Sequence, residues 1–183
     1  MERITGPKAV VTGTAAAPLT DVWDRFVPIA LPDVFPSAKG PIPAVVAVEG
    51  QNGRWDTVGR TRTVVLADGM HVQEEITFSD PSNGNPAQDT ARFGYTVSGF
   101  SGPLSWLVSE ARGYWVFESN GTHTHITWTY QFLPTSGLAR PLASVIIALF
   151  WRRYMQDGMT NVTRITGQSS TQTGSGLATP RTA

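Results

Sequence analysis

Residues 141–165, PLASVIIALFWRRYMQDGMTNVTRI, decide the fold. Ala148, Trp151, Met155, Gly158, Val162 and Ile165 recur at alternating steps of three and four, while Arg152, Arg153, Gln156, Asp157, Asn161 and Arg164 fall on the other side. That is the period of one amphipathic helix. Its first half differs, because Leu142, Val145, Ile146, Ile147, Leu149 and Phe150 leave no polar face, so protein, ligand or membrane must cover this end. The run is too short to span a bilayer, which takes about 20 apolar residues. Pro141 suits a first helical turn, where its missing N–H is no loss. Gly158 sits inside the apolar stripe at a cost of about 1 kcal/mol relative to alanine, which points to a close approach to the backbone there. Such a helix needs an apolar surface to lie on, and most of what precedes it reads as strands.

Moving outward, residues 44–49 make one strand, and from there to Phe132 the chain alternates at period two. Turn signals stand at Asn52-Gly53, Asp68-Gly69, Asn83-Gly84 and Asn120-Gly121. Upstream, residues 8–14 form a β-branched strand, followed by a short helix in which Leu19, Val22, Trp23 and Phe26 are helically spaced. Pro28 and Pro32 break it before a second short turn around residues 33–35. The expectation is an α+β domain over residues 8–166, a curved antiparallel sheet of about seven strands wrapped on a long C-terminal helix. Residues 167–183, GQSSTQTGSGLATPRTA, have almost nothing apolar and read as a disordered tail; the polar loop 79–90 reads as mobile.

Composition excludes several functions. The chain has 183 residues, 40% hydrophobic, with 14 basic and 14 acidic side chains, so it can bury a core but as a whole offers no field for nucleic acid or anionic membrane. Cysteine is absent, which removes disulfides, thiolate catalysis and cysteine-ligated zinc. The opening MERITGPKAVV lacks a basic segment followed by an apolar core, and a cytoplasmic location is the expectation.

Two hairpins can be registered from their turns. A two-residue turn at Asp68-Gly69 sets Thr63 opposite Glu74 and Val65 opposite Val72. Thr61, Thr63, Val65, Val72, Glu74, Ile76 and Phe78 then share the better candidate for the inner face, with Arg62 and Val64 outside. The same count from Asn120-Gly121 sets Trp115 opposite Ile126, Gly113 opposite Trp128 and Ala111 opposite Tyr130, and gathers every aromatic of that pair except Tyr114 on one face. Small Gly113 and Ala111 among large rings mean either complementary packing or a cavity. With Trp23, Phe26, Phe93, Tyr95, Phe132 and Trp151 added, there is more inward aromatic surface than one helix covers, as in an apolar small-molecule site.

The order of short strand, two short helices, six antiparallel strands and long C-terminal helix resembles the START/Bet v1-like (SRPBCC) helix-grip superfamily, and in particular its polyketide cyclase/dehydrase and lipid transport proteins. AAPLTDVWDRF (residues 16–26) looks like the family's first helix. Residues 59–81, GRTRTVVLADGMHVQEEITFSDP, are similar to its third and fourth strands, with Gly59, Arg62, Val64, Gly69, Glu74 and Asp80-Pro81 placed as the pattern expects. NGTHTHITWTYQFLP (residues 120–134) looks like its last hairpin. The resemblance implies a cavity between sheet and helix for a lipid, isoprenoid or polyketide. Some members cyclise or dehydrate polyketide chains; others only bind or carry.

The side chains expected to line that cavity are Trp23, Phe26, Val65, Glu74, Ile76, Phe93, Tyr95, Gly113, Trp115, Phe117, Trp128, Tyr130, Ala148, Trp151 and Met155. Glu74 is the candidate catalytic group: a general acid or base, an anchor for a ligand hydroxyl, or a carboxylate paired with Thr63 or an arginine. His123 and His125 share an outer strand face and read as an exposed pair, since metal sites need three or four organised ligands. No cofactor is expected. The binding reading, with transient membrane or protein contact through the apolar helix start, stands beside two alternatives: a polyketide cyclase or dehydratase, with Glu74 and Tyr130 or Tyr95 moving protons, and a chaperone-like or protein-interaction module whose exposed apolar helix start meets a partner protein.

Overall fold

The computed structural model describes residues 6–81, 89–102 and 104–168, so most of the 79–90 loop and all but two residues of the 167–183 tail lie outside the described residues. The strands are β1 (Lys8–Ala15), β2 (Val45–Glu49), β3 (Thr61–Leu66), β4 (His71–Asp80), β5 (Thr90–Ser98), β6 (Val108–Ser119) and β7 (Thr124–Pro134). They form one antiparallel sheet in the order β1-β7-β6-β5-β4-β3-β2. Two short helices, α1 (Leu19–Phe26) and α2 (Leu31–Val34), connect β1 to β2, and one turn of helix, α3 (Leu104–Leu107), precedes β6. The chain then runs through α4 (Arg140–Ile146), a π-helical turn (Ile147–Trp151) and α5 (Arg152–Thr166). The helix-grip architecture expected from the sequence is present.

The core forms where α1 and α5 meet the concave face of the sheet. Leu19, Val22, Trp23 and Phe26 sit at helical spacing and are all buried. Trp23 meets Phe117 edge-on at 5.6 Å between ring centres, and Phe26 packs on Phe117 and Trp115 at 4.8 and 5.0 Å. Such T-shaped and offset contacts suit the ring quadrupoles. From α5, Met155, Gly158, Met159 and Val162 are buried. Phe35 fills the groove at Gly158, where a Cβ would stand 2.3 Å from the ring edge, and stacks on Tyr154 at 4.6 Å. The close approach inferred from Gly158 is this ring.

The first hairpin departs from the expected register. The Leu66 N–H donates to the Met70 carbonyl at 2.8 Å, leaving Ala67, Asp68 and Gly69 as a three-residue loop, with Gly69 at φ +84° and the Asp68 carboxylate accepting the Met70 N–H. The extra loop residue slides β3 by one position, and a one-residue slip exchanges the faces of a strand. Arg62 therefore stands opposite Glu74, and Val64 opposite Val72. Arg62 and Val64 face inward, while Thr63 and Val65 turn away. A bulge between Ile76 and Phe78 then turns Phe78 outward as well, where it is 42% exposed beside Tyr114.

In the second hairpin the two-residue turn is Gly121-Thr122, one position beyond the expected Asn120-Gly121, closed by Asn120 N–H to the His123 carbonyl at 3.0 Å. Pairing shifts by two, which preserves the faces: Trp115 lies opposite Trp128, Gly113 opposite Tyr130 and Ala111 opposite Phe132. Gly113 is filled from the other side by its β5 neighbour, since a Cβ there would stand 2.2 Å from the Tyr95 ring. Complementary packing, not open space, explains this glycine. The long helix is likewise not one continuous α-helix. Its π-helical turn inserts an extra residue per turn, so Ala148 faces outward although it shares the heptad-like spacing of buried Met155.

Candidate ligand cavity

A cavity of about 330 Å³ remains between sheet and helices, at the lower end of the range for small-molecule sites. Its walls are chiefly apolar. Phe93, Trp115, Trp128, Tyr130 and Phe132 come from the concave face of the sheet, Phe26 and Phe35 from the α1–α2 region, and Ile146, Trp151 and Tyr154 from the long helix. Trp115 and Trp128, placed face to face by the register, stack at 4.5 Å and 8°. Leu104, Leu107 and Pro41–Pro43 close the remaining side.

Of the residues expected from the sequence, Phe26, Glu74, Phe93, Tyr95, Trp115, Trp128, Tyr130 and Trp151 line this space. Trp23, Ile76, Phe117 and Met155 are buried in the core behind it, and Gly113 lies under Tyr95. Val65 and Ala148 are corrections, turned away by the three-residue loop and by the π-helical turn. Residues not anticipated include Trp55, Val64, Tyr154 and, above all, Arg62.

Arg62 and Glu74 make a buried ion pair, with side chains 7% and 10% exposed. Nε and Nη2 of Arg62 both donate to Glu74 Oε2, at 2.7 and 2.6 Å. Nη1 donates to Gln51 Oε1 at 2.7 Å, and the guanidinium lies 4.4 Å from the centre of the Trp55 ring. Removing two charges from water is costly, and the geometry here supplies what offsets it: short charge-assisted bonds, a second acceptor and an aromatic face. Adjacent strands fix both partners, so the pair comes preassembled.

Three buried phenols of the cavity wall feel the charge of this carboxylate. Burial pushes the Tyr95 hydroxyl far above its ordinary pKa of about 10, with the Glu74 charge adding to the effect. Burial does the same for Tyr130, reinforced by Tyr95 and Glu74, and for Tyr154, reinforced by Glu74. All three stay protonated at neutral pH, so they can donate hydrogen bonds but cannot serve as bases, and the upward shift makes them weak acids. Tyr154 already donates to the Pro43 carbonyl at 3.2 Å. Among the described residues no group of three His, Cys, Asp or Glu side chains is arranged to hold a metal ion.

The signal that could have found Arg62 was the Asp68 side chain. Asp before Gly readily accepts the N–H two residues on, and that bond favours the longer loop. Trp55 and Gln51 lie in the β2–β3 connection, where no periodicity predicts a direction.

The profile of the family described as polyketide cyclase/dehydrase and lipid transport matches residues 7–165. The chain belongs to this family. No curated protein matches it in sequence. Among solved structures, it superposes on Ara h 8.0201 with a TM-score of 0.59 at 14% identity, covering 87% of this chain and 97% of that one. A hypothetical protein from Helicobacter pylori gives 0.64 at 11% identity, covering 88% and 89%. The di-domain ARO/CYC protein BexL of the BE-7585A biosynthetic pathway gives 0.57 at 11% identity, covering 87% of this chain and 46% of that one. These likenesses establish the fold that this member of the polyketide cyclase/dehydrase and lipid transport family shares with them; its chemistry must come from its own cavity.

Proposed function

We propose that the protein binds, and carries, a small hydrophobic molecule such as an isoprenoid, polyketide or lipid fragment in the cavity between sheet and C-terminal helix. The observation that carries this reading is an apolar, aromatic-walled space with one buried ion pair set in its wall. Burying apolar ligand surface supplies affinity at about 25 cal/mol per Å², and the Arg62–Glu74 corner with the Tyr95 and Tyr130 hydroxyls orients whatever oxygen the ligand carries.

A second reading, a cyclase or dehydratase acting on a polyketide-like chain, is favoured by that same corner. Glu74 is the group there able to accept a proton, and neutral Tyr95 and Tyr130 can donate to a developing enolate oxygen. Likeness to one part of a di-domain ARO/CYC protein supports it at the level of fold.

The test is titration with the neutral dye N-phenyl-1-naphthylamine, alongside native mass spectrometry of protein purified from cells. Wild type should bind one dye and carry a co-purified small molecule. Leu66→Trp, which adds volume at the cavity wall, should weaken the dye at least about tenfold. Equal dye affinity in both proteins, with nothing co-purified, would overturn the binding reading. Glu74→Gln separates the two readings, because it abolishes turnover of a poly-β-ketone chain only if the protein is an enzyme.

A further inference from the structure

The outer side of the elements that close the cavity is itself apolar. Trp106, between cavity-lining Leu104 and Leu107, is 77% exposed, and Leu138, in the loop before α4, is 94% exposed. Leu142, Val145 and Leu149 follow at helical steps of three and four, each 52% exposed, on the helix whose Ile146 and Trp151 line the cavity. α3 and α4 pack together, so these side chains belong to one surface. Soluble domains leave such contiguous patches where something docks.

Charge identifies what docks. The chain as a whole is neutral, yet residues 135–156 contain Arg140, Arg152 and Arg153 and no aspartate or glutamate. Residues 99–109 carry no charge at all. Arg152 and Arg153 are exposed and stand about one turn beyond Leu149. An exposed tryptophan, a leucine and valine stripe and flanking arginines match the interfacial zone of a bilayer bearing anionic lipid, and the acids at the two edges, Glu110 and Asp157, are paired with Arg112 and Lys39.

We propose that the α3–α4 face is a docking surface for an anionic lipid bilayer, which places the wall of the cavity against the membrane. The proposal rests on the ligand-carrier reading only for its purpose; the surface itself stands on exposure and charge.

The experiment floats the full chain with vesicles of phosphatidylcholine alone and of phosphatidylcholine with about one-third phosphatidylserine. Wild type should float with the anionic vesicles at low salt and be released at high salt. Arg152→Gln and Arg153→Gln should each lower partitioning about fivefold. Trp106→Ser with Leu142→Ser should lower it by about tenfold or more. Those two side chains are exposed, so melting temperature and dye affinity should stay at wild-type values. Wild type that fails to float with anionic vesicles, a double variant that floats as well as wild type, or self-association in sedimentation velocity that the double variant abolishes would each overturn the proposal. Flotation without dye binding would retain the docking surface and remove the cavity reading instead.

Discussion

Arg62→Met tests the buried corner of the cavity. The substitution keeps an unbranched side chain of similar reach but removes the charge that offsets Glu74, along with the bonds to Glu74 and Gln51 and the contact with the Trp55 ring. Leaving one member of a buried pair uncompensated costs about 3–5 kcal/mol. In a domain of this size each kcal/mol lowers the melting temperature by about 2–4 °C, so the expected drop is about 6–20 °C. Arg62→Met with Glu74→Leu removes both charges and should recover most of that loss, since apolar replacements of buried pairs are often neutral or stabilising. Urea unfolding of wild type, both single variants and the double variant closes the cycle, and a coupling above about 2 kcal/mol is the expected result. If Arg62→Met costs less than about 1 kcal/mol, or the double variant loses the sum of the singles, the pair is not the buried unit described.

Two further outcomes follow from the packing. Gly113→Ala should destabilise by about 1–3 kcal/mol through collision with the Tyr95 ring, and Tyr95→Leu in the same chain should relieve part of it; unchanged chemical denaturation of the single variant would count against that close contact. The three raised phenols also set an alkaline limit: their folded pKa values exceed the unfolded value of about 10, so the native state holds protons that the unfolded chain releases, and stability present below pH 10 falls as pH rises above it. Tyrosinate absorbance should therefore rise together with loss of near-ultraviolet dichroism, and ionisation of all four tyrosines near pH 10 with the fold intact would refute the burial.

The sheet, its strand number and the helix that grips it were legible because hydrophobic period is a property of many residues at once. Face assignment was legible only where errors preserve parity. In the second hairpin a miscount by two left Trp115, Phe117, Trp128 and Tyr130 inside, whereas in the first a miscount by one put Arg62 outside and Val65 inside. Phe78 and Ala148 failed for a related reason, since a bulge and a π-helical turn each add a residue that no period announces. Glu74 was found because its strand kept its phase; its partner was missed because a single loop residue, Ala67, was counted as strand.

The Arg62–Glu74 pair has a consequence for what the cavity selects. Two opposite charges held 2.6 Å apart act at a distance as a dipole, whose field dies away faster than that of a lone ion. At the aromatic end of the cavity the pair's field is therefore weaker than a lone ion's would be, and discrimination there leans chiefly on shape. At the other end the guanidinium and the carboxylate present unlike poles side by side, so a molecule reaching them is sorted by which way round it lies rather than by its net charge.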